Sequence, residues 1–224
     1  MLKHPYISIQ CEDGSVSYGG NQSWLPTPAE RSFGCGFIAA ADILRYLRER
    51  EEMSSEKPPL TKKQYLEDML RLSADFPVRG KLGITGFGLA RRMNRLFRRE
   101  GLPYRSKWSI GKKRLLRRLP EMLESDIPVL LSAGPGFFHK EGRLALYTPE
   151  GGVYKKSNSM RDHYVTVTGR ITGKAAENAS EEEILYRISS WGGEYYIREQ
   201  EYLDYVEKYD NFLFSSILYI RRNG

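Results

Sequence analysis

The chain has 224 residues and a net charge of +7, with 40% hydrophobic and 28% charged residues. This length and composition fit one sizeable globular domain, and the 15 Tyr and 9 Phe residues argue against a disordered protein. No apolar run approaches the roughly 20 residues that cross a bilayer, and the start MLKHPYISIQ lacks the apolar core of a signal peptide. We therefore expect a single domain over residues 1–224, without a membrane span and located in the cytoplasm.

The first half of the sequence predicts helices after an irregular start. The first thirty residues are rich in Gly, Ser, Asn and Pro, which favour turns. Apolar positions then recur with helical spacing from about 35 to 50, and a capping box formed by Thr61 and Gln64 begins a second helix. Two basic helices are predicted next, one from about 87 to 100 and one that Ser109 caps.

From Ile127 onwards the sequence predicts strands. The run IPVLLSAG is continuously apolar, HYVTVTG and ILYRISSW alternate, and GEYYIRE follows a Gly-Gly turn. YLDYVEKY predicts a short helix and FLFSSILYIR a closing strand. Helices followed by antiparallel strands indicate an α+β fold, with a helical half at about 30–125 packed on a sheet half at about 126–224.

Cys35 is the strongest candidate for a nucleophile. It stands in SFGCGFIAAADILRYL, where the first strong helix begins. Unpaired backbone N–H groups and the positive end of the helix dipole favour a thiolate there, so the sequence predicts a low pKa for this thiol. Gly34 and Gly36 on either side would allow a substrate backbone to approach closely. The alternative is a free cysteine that is buried and simply packs in the core.

His163 is the best candidate for a base. It opens the predicted strand HYVTVTG, and a helix packed on that strand could bring the imidazole close to the thiol of Cys35. His139 lies in a Gly-rich stretch and is a weaker candidate, and His4, near the N-terminus, is weaker still. A histidine on a sheet face is more often structural, and that alternative stays open.

The cysteines and histidines do not indicate a metal site. Cys11 and Cys35 are the two cysteines, and no CxxC or HxxxH spacing occurs. Two cysteines are also too few for a disulfide scaffold. We expect neither a metal nor another cofactor.

Four motifs, in this order along the chain, resemble those of papain-like cysteine peptidases. They are Gln22-x-Trp24, GCG around Cys35 at the head of an Ala-rich helix, IPVLLSAG followed by HYVTVTG, and SSWGGEYYI. The third is similar to the bacterial branch related to bacteriocin-leader peptidases, and the fourth resembles the Asn-Ser-Trp-Gly stretch of papain. The resemblance runs from about residue 18 to 197, with little likeness across the basic helices.

The resemblance implies a papain-like fold and a cysteine-dependent hydrolase, either a peptidase or an amidase. Cys35 would be the nucleophile, and His163 the general base that later protonates the leaving amine. The side-chain amide of Gln22 would donate to the oxyanion beside the backbone N–H of Cys35. Trp191 would shield the histidine from water. The residues implied at the substrate-binding surface are Trp24, Gly34, Gly36 and Trp191.

The sequence departs from the family at two positions. Twelve residues separate Gln22 from Cys35, more than in papain, so the oxyanion loop must be remodelled. Ser189 stands where the family has Asn or Asp, and a serine hydroxyl can accept a hydrogen bond from the imidazole but brings no charge. Residues that could orient the imidazole from loops instead are Asn158, Asp210 and Asn211.

Two alternatives therefore stand beside an active enzyme. The first is the same fold kept as a catalytically silent module that binds peptides. The second is a nucleic-acid-binding protein, because between Arg79 and Arg118 there are 14 Lys and Arg residues and one acid, Glu100. The solvated face of two amphipathic helices also explains this charge and is preferred. The expected partner is thus a peptide or protein substrate, acidic if the charge contributes to binding, and not a nucleic acid.

Overall fold

The structure is a computed structural model that describes residues 1–52, 59–77, 83–134, 142–174 and 182–223. These residues form an α+β fold, as the sequence predicts, with helices packed against a large antiparallel sheet. The helices are α1 (Pro28–Phe33), α2 (Cys35–Glu51), α3 (Lys62–Ser73), α4 (Gly86–Arg99), α5 (Lys112–Glu124) and α6 (Glu199–Tyr209). The strands are β1 (Ser8–Gln10), β2 (Val16–Tyr18), β3 (Leu60–Thr61), β4 (Tyr104–Ser109), β5 (Val129–Ala133), β6 (Leu144–Glu150), β7 (Val153–Met160), β8 (His163–Gly173), β9 (Glu183–Ser190), β10 (Gly193–Arg198) and β11 (Ile217–Arg222).

Local signals in the sequence place most of the helices. α2, α4 and α6 begin within a few residues of their predicted starts, and the capping box at the start of α3 is confirmed. α5 differs, because it begins at Lys112 after Gly111 and not after the predicted cap Ser109. Ser109 instead ends β4, where it pairs with Ile217 of β11. In the described ranges, no helix combines the length and the apolar character needed to cross a membrane.

The main sheet has eight strands in the order β4-β11-β5-β8-β9-β10-β6-β7, and all neighbours are antiparallel. The segments predicted as β5, β8, β9, β10 and β11 are strands in the structure. β4, β6 and β7 were not predicted. Since β4 belongs to the predicted helical half, a division near residue 125 does not separate the helices from the strands.

The first thirty residues are more ordered than their composition predicts. β1 pairs antiparallel with β2 and parallel with β3, which gives a second, three-stranded sheet. Ile7 and Ile9 face the core and are almost completely buried. This small sheet holds the N-terminal segment against the rest of the molecule.

α2 is the central helix and packs against β8 and β5. The run Ala39–Ala41 is buried, and its small side chains allow the helix to lie close to the sheet. At Gly36 a Cβ atom would lie 3.0 Å from the ring of Tyr164, so glycine permits the closest approach between α2 and β8. This packing brings Cys35, the first residue of α2, to the first residues of β8.

Candidate functional site

Cys35 lies at the junction between α1 and α2. The junction depends on Gly34, whose backbone N–H donates to the carbonyl oxygen of Glu30 at 2.7 Å. A Cβ atom at this position would lie only 2.4 Å from the same oxygen, so a larger residue would clash. Cys35 is half-buried. Burial raises the pKa of its thiol, and the N–H groups of Tyr164 and Gly36 offset this only in part. The low pKa predicted from the helix terminus is therefore wrong, since desolvation outweighs the favourable backbone groups.

His163 is the first residue of β8 and is only 8% exposed. Its Nε2 lies 2.8 Å from the hydroxyl oxygen of Ser190. The indole of Trp191 stacks on the imidazole, with ring centroids 4.5 Å apart and an interplanar angle of 23°. Burial lowers the pKa of His163 to about 4, so the imidazole is neutral near pH 7.

Cys35 and His163 line the same narrow cavity, together with Gln22 and Trp191. Its volume of about 20 Å³ is roughly that of one water-sized sphere. No hydrogen bond joins the thiol of Cys35 to a ring nitrogen of His163, although both residues are described. The two groups therefore share a cavity as a neutral thiol and a neutral imidazole near pH 7, and not as an ion pair.

Ser189 does not contact the imidazole. Its hydroxyl donates to the carbonyl of Tyr18 at 2.7 Å, and the neighbouring Ser190 makes the contact with His163 that was predicted for Ser189. Successive side chains of a strand alternate in direction, so two adjacent serines of β9 cannot share one partner. The other predicted orienting residues bond elsewhere: Asn158 accepts from Ser159 N, Asn211 from Leu213 N, and Asp210 from the Ser215 hydroxyl.

Gln22 lines the cavity, but its side-chain amide already donates a hydrogen bond to another part of the chain. It begins a single 3-10 turn capped by Asn21, and its Nε2 donates to the carbonyl of Arg31 at 2.9 Å. The twelve residues between Gln22 and Cys35 contain α1, whose own capping box joins Thr27 and Glu30. The segment that was predicted to be a remodelled oxyanion loop therefore contains a short helix.

The tryptophans connect the cavity to an open groove. Trp191, which covers His163, also lines a neighbouring groove of about 380 Å³ that contains Trp24. Trp24 packs edge-on against Tyr65, with ring centroids 6.0 Å apart, and Lys62 Nζ lies 5.1 Å from its ring. Of the predicted substrate-binding residues, Trp24 and Trp191 therefore line this groove. Gly34 and Gly36 are buried against neighbouring segments and line neither the cavity nor the groove.

Asp42 is a cavity residue that sequence analysis missed. It lies two turns after Cys35 on α2 and is 1% exposed. Its Oδ1 accepts from Tyr65 OH at 2.7 Å, and its Oδ2 accepts from Gly20 N at 3.0 Å and Tyr6 OH at 3.1 Å. Burial raises the pKa of Asp42 to about 6, although these donors lower it. A lone acid within the apolar stretch FIAAADILRYL was the available signal.

The segment before Gln22 is fastened to the turn that carries Trp191. Tyr18 N donates to Gly192 O at 2.8 Å, Gly192 N to Gly20 O at 3.2 Å, and Asn21 Nδ2 to Trp191 O at 2.7 Å. Trp191 has a φ of 50°, which is uncommon for a bulky residue. These bonds hold the indole over His163 in a conformation that an isolated turn would not favour.

The remaining histidines and Cys11 do not add a catalytic group to this cavity. His139 lies outside the described residues, and the Nδ1 of His4 lies 2.5 Å from Asp126 Oδ2. Cys11 is half-buried and lines the groove beside Trp24. In the part of the chain that is described, no group of three or more His, Cys, Asp or Glu side chains is placed to hold a metal ion.

Comparison of the chain with protein-family models, with curated proteins and with solved structures found no match in any of the three. The functional assignment therefore depends on the geometry of the cavity and on the sequence motifs.

Proposed function

We propose that the protein is a cysteine-dependent hydrolase of amide bonds with a papain-like fold, and that its substrate is a peptide or protein. One observation carries the proposal: Cys35, at the start of a helix, shares a cavity with His163, whose Nε2 contacts Ser190 and whose ring is covered by Trp191. Helix start, base, hydrogen-bond acceptor and hydrophobic cover are the parts that a thiol nucleophile requires.

In this proposal Ser190 selects the tautomer of His163. When its hydroxyl accepts from Nε2–H, the lone pair is on Nδ1, which makes no hydrogen bond within the described residues. Nδ1 takes the proton of the Cys35 thiol as the sulfur attacks the substrate carbonyl, and the oxyanion is stabilised by the backbone N–H of Cys35. The imidazolium then protonates the leaving amine, and water hydrolyses the thioester. Ion-pair formation is thus part of the reaction and not of the resting state.

The test is turnover of a peptide-amide library by the wild type, Cys35→Ala and His163→Ala, with Cys11→Ala as the matched thiol control. We expect turnover to fall to background in the first two variants and to remain in the third. Wild-type turnover no higher than that of Cys35→Ala would overturn the proposal.

A second candidate is a silent peptide-binding module. It is favoured by the bond from Gln22 to the Arg31 carbonyl, which occupies the amide that would otherwise serve the oxyanion. The same library, immobilised and probed with Cys35→Ala protein, would show saturable binding without cleavage by the wild type.

A further inference from the structure

A concentration of positive charge lies at the end of β4 and β11 that is farther from His163. Arg105 of β4 and Arg221 of β11 are directly opposite each other in the antiparallel register, while Ile217 of β11 pairs with Ser109 at the other end. Ile217 also pairs with β5 close to Ala133, the partner of His163. The two arginines are therefore separated from the cavity by most of the length of these strands.

Arg105 and Arg221 line a groove of about 470 Å³ together with Arg98 of α4. All three side chains are exposed, and none forms an ion pair within the ranges that the structure describes. Arg222, which also lines the groove, is paired with Glu51 at 2.8 Å. The groove thus carries positive charge that its surroundings do not neutralise.

The charge continues from the groove onto α5. Repulsion from Arg118 and, together with burial, from Arg221, Arg114 and Arg117 lowers the pKa of Lys107 on β4. Lys107 Nζ lies 5.7 Å from the centre of the Tyr219 ring, and the guanidinium of Arg118 lies 4.6 Å from it. We call this continuous surface the basic band, and its members are Arg98, Arg105, Lys107, Arg114, Arg118 and Arg221.

Neither the fold nor helix amphipathicity accounts for the basic band. Like charges directly opposite on neighbouring strands destabilise a sheet, so the pairing of Arg105 with Arg221 opposes folding. The outward faces of α4 and α5 explain Arg98 and Arg114, but Arg105, Lys107 and Arg221 belong to strands. Arg221 of the last strand, β11, comes close to the basic residues of α4 and α5 only in the folded protein.

We propose that the basic band binds the phosphate backbone of a nucleic acid without reading its bases. Five of the six members are arginines, whose planar guanidinium groups bind phosphate oxygens bidentately. Interfaces with proteins bury an apolar or aromatic centre, whereas the apolar side chains that line the groove are the half-buried Leu102 and the buried Tyr104. A partner with repeated charge and no apolar surface fits these features better than an acidic protein does.

The first measurement is fluorescence anisotropy with labelled DNA duplex and RNA of random sequence, titrated at 50 to 200 mM salt. About five phosphate contacts predict a slope of about −4.5 for the logarithm of the duplex binding constant against that of salt, which is about a 500-fold loss across this range. Cys35→Ala should bind as the wild type does, because the band lies away from the cavity. Absence of binding at 50 mM salt would overturn the proposal.

The second measurement compares two double charge reversals with the same change in net charge. Arg105→Glu with Arg221→Glu should weaken binding at 50 mM salt at least about tenfold and reduce the slope by about two. The control, Lys155→Glu with Lys156→Glu, lies on β7 at the opposite edge of the sheet. It should change the binding constant less than about twofold. Equal loss of binding in both double variants would indicate unspecific charge. Competition by polyglutamate as effective as that by nucleic acid would indicate an acidic protein, and equally effective competition by anionic vesicles would indicate a membrane surface. Each of these results would overturn the proposal.

Discussion

In the cavity around Cys35 the ionisable side chains are shifted towards their neutral forms, whereas in the basic band they are charged. In the cavity, burial raises the pKa of the Cys35 thiol, raises that of Asp42 to about 6 and lowers that of His163 to about 4. Each of these shifts favours the neutral form of the group. In the basic band, Arg105 and Arg221 keep their charges in water, with no ion-pair partner among the described residues.

This difference separates two ways of using ionisable side chains. A buried thiol and imidazole that rest in their neutral forms can be charged only when a substrate supplies the compensating interactions. An exposed cluster of arginines carries its charge permanently and attracts an anionic partner at a distance. Measurements that change burial or charge in one region should therefore leave the other unaffected.

The largest expected effect is on the pH dependence of Cys35 reactivity. Because only the thiolate reacts and its fraction rises tenfold per pH unit below the pKa, alkylation by iodoacetamide should accelerate about 1000-fold from pH 6 to pH 9. Mass mapping separates Cys35 from Cys11, which serves as the internal control. His163→Ala should leave the shape of this profile unchanged. A rate that is already maximal near pH 6 and falls in His163→Ala would instead indicate a preformed ion pair.

The second prediction concerns the free energy of unfolding and Asp42. A carboxyl whose pKa is raised from 3.8 to about 6 on folding binds its proton more tightly in the native state. Its stabilising contribution is full below about pH 3.8 and is lost as the pH rises through 6, which amounts to about 3 kcal/mol. Between pH 4 and 7, the wild type should therefore lose about 2.5 kcal/mol of stability relative to Asp42→Asn in urea unfolding.

The comparison with Asp42→Asn is necessary because His163 titrates with the opposite sign. Its pKa is lowered from 6.5 to about 4, so its contribution increases as the pH rises between these values. The two contributions partly cancel in the wild type alone. A constant difference between wild type and Asp42→Asn over this pH range would contradict the raised pKa of Asp42.

The third prediction separates the two adjacent serines. Ser190→Ala removes the acceptor that fixes the His163 tautomer, and one hydrogen bond of about 1–1.5 kcal/mol corresponds to roughly a five- to tenfold loss of kcat. Ser189→Ala releases the Tyr18 carbonyl and should lower the free energy of unfolding by about 1 kcal/mol with little change in kcat. Turnover by purified variants and urea unfolding measure both quantities. A larger loss of kcat in Ser189→Ala would restore Ser189 as the orienting residue.

The smallest expected effect is on stability at the basic band. Arg221→Gln removes one of two like charges that face each other across β4 and β11, so the free energy of unfolding should rise by about 0.5 kcal/mol. The gain should disappear at high salt, where the repulsion is screened. Lys156→Gln on β7 is the matched control and should change stability less. Destabilisation by Arg221→Gln would show that the arginine supports the sheet.

Much of the secondary structure was predictable because its signals are local. The apolar stripe of α2, the cap at Thr61 and the alternation in β8, β9 and β10 each depend on residues close in sequence. β4 was missed because its polar sequence YRSKWS becomes a strand through pairing with the distant β11. β6 and β7, by contrast, form a local hairpin across Gly151 and Gly152, and this Gly-Gly turn was the available signal. The same distinction holds at the site: the sequence was sufficient to place Cys35 at a helix start and His163 at a strand start.

By itself, the sequence determined which residues begin the elements that meet at the cavity. The tertiary structure alone decided that Ser190 and not Ser189 contacts His163, that Asp42 lines the same cavity as Cys35, and that burial raises the pKa of Cys35. It also decided that Arg221 of β11 lies directly opposite Arg105 of β4. Strand register, desolvation and the meeting of distant side chains depend on packing between segments far apart in the chain, and no local pattern encodes them.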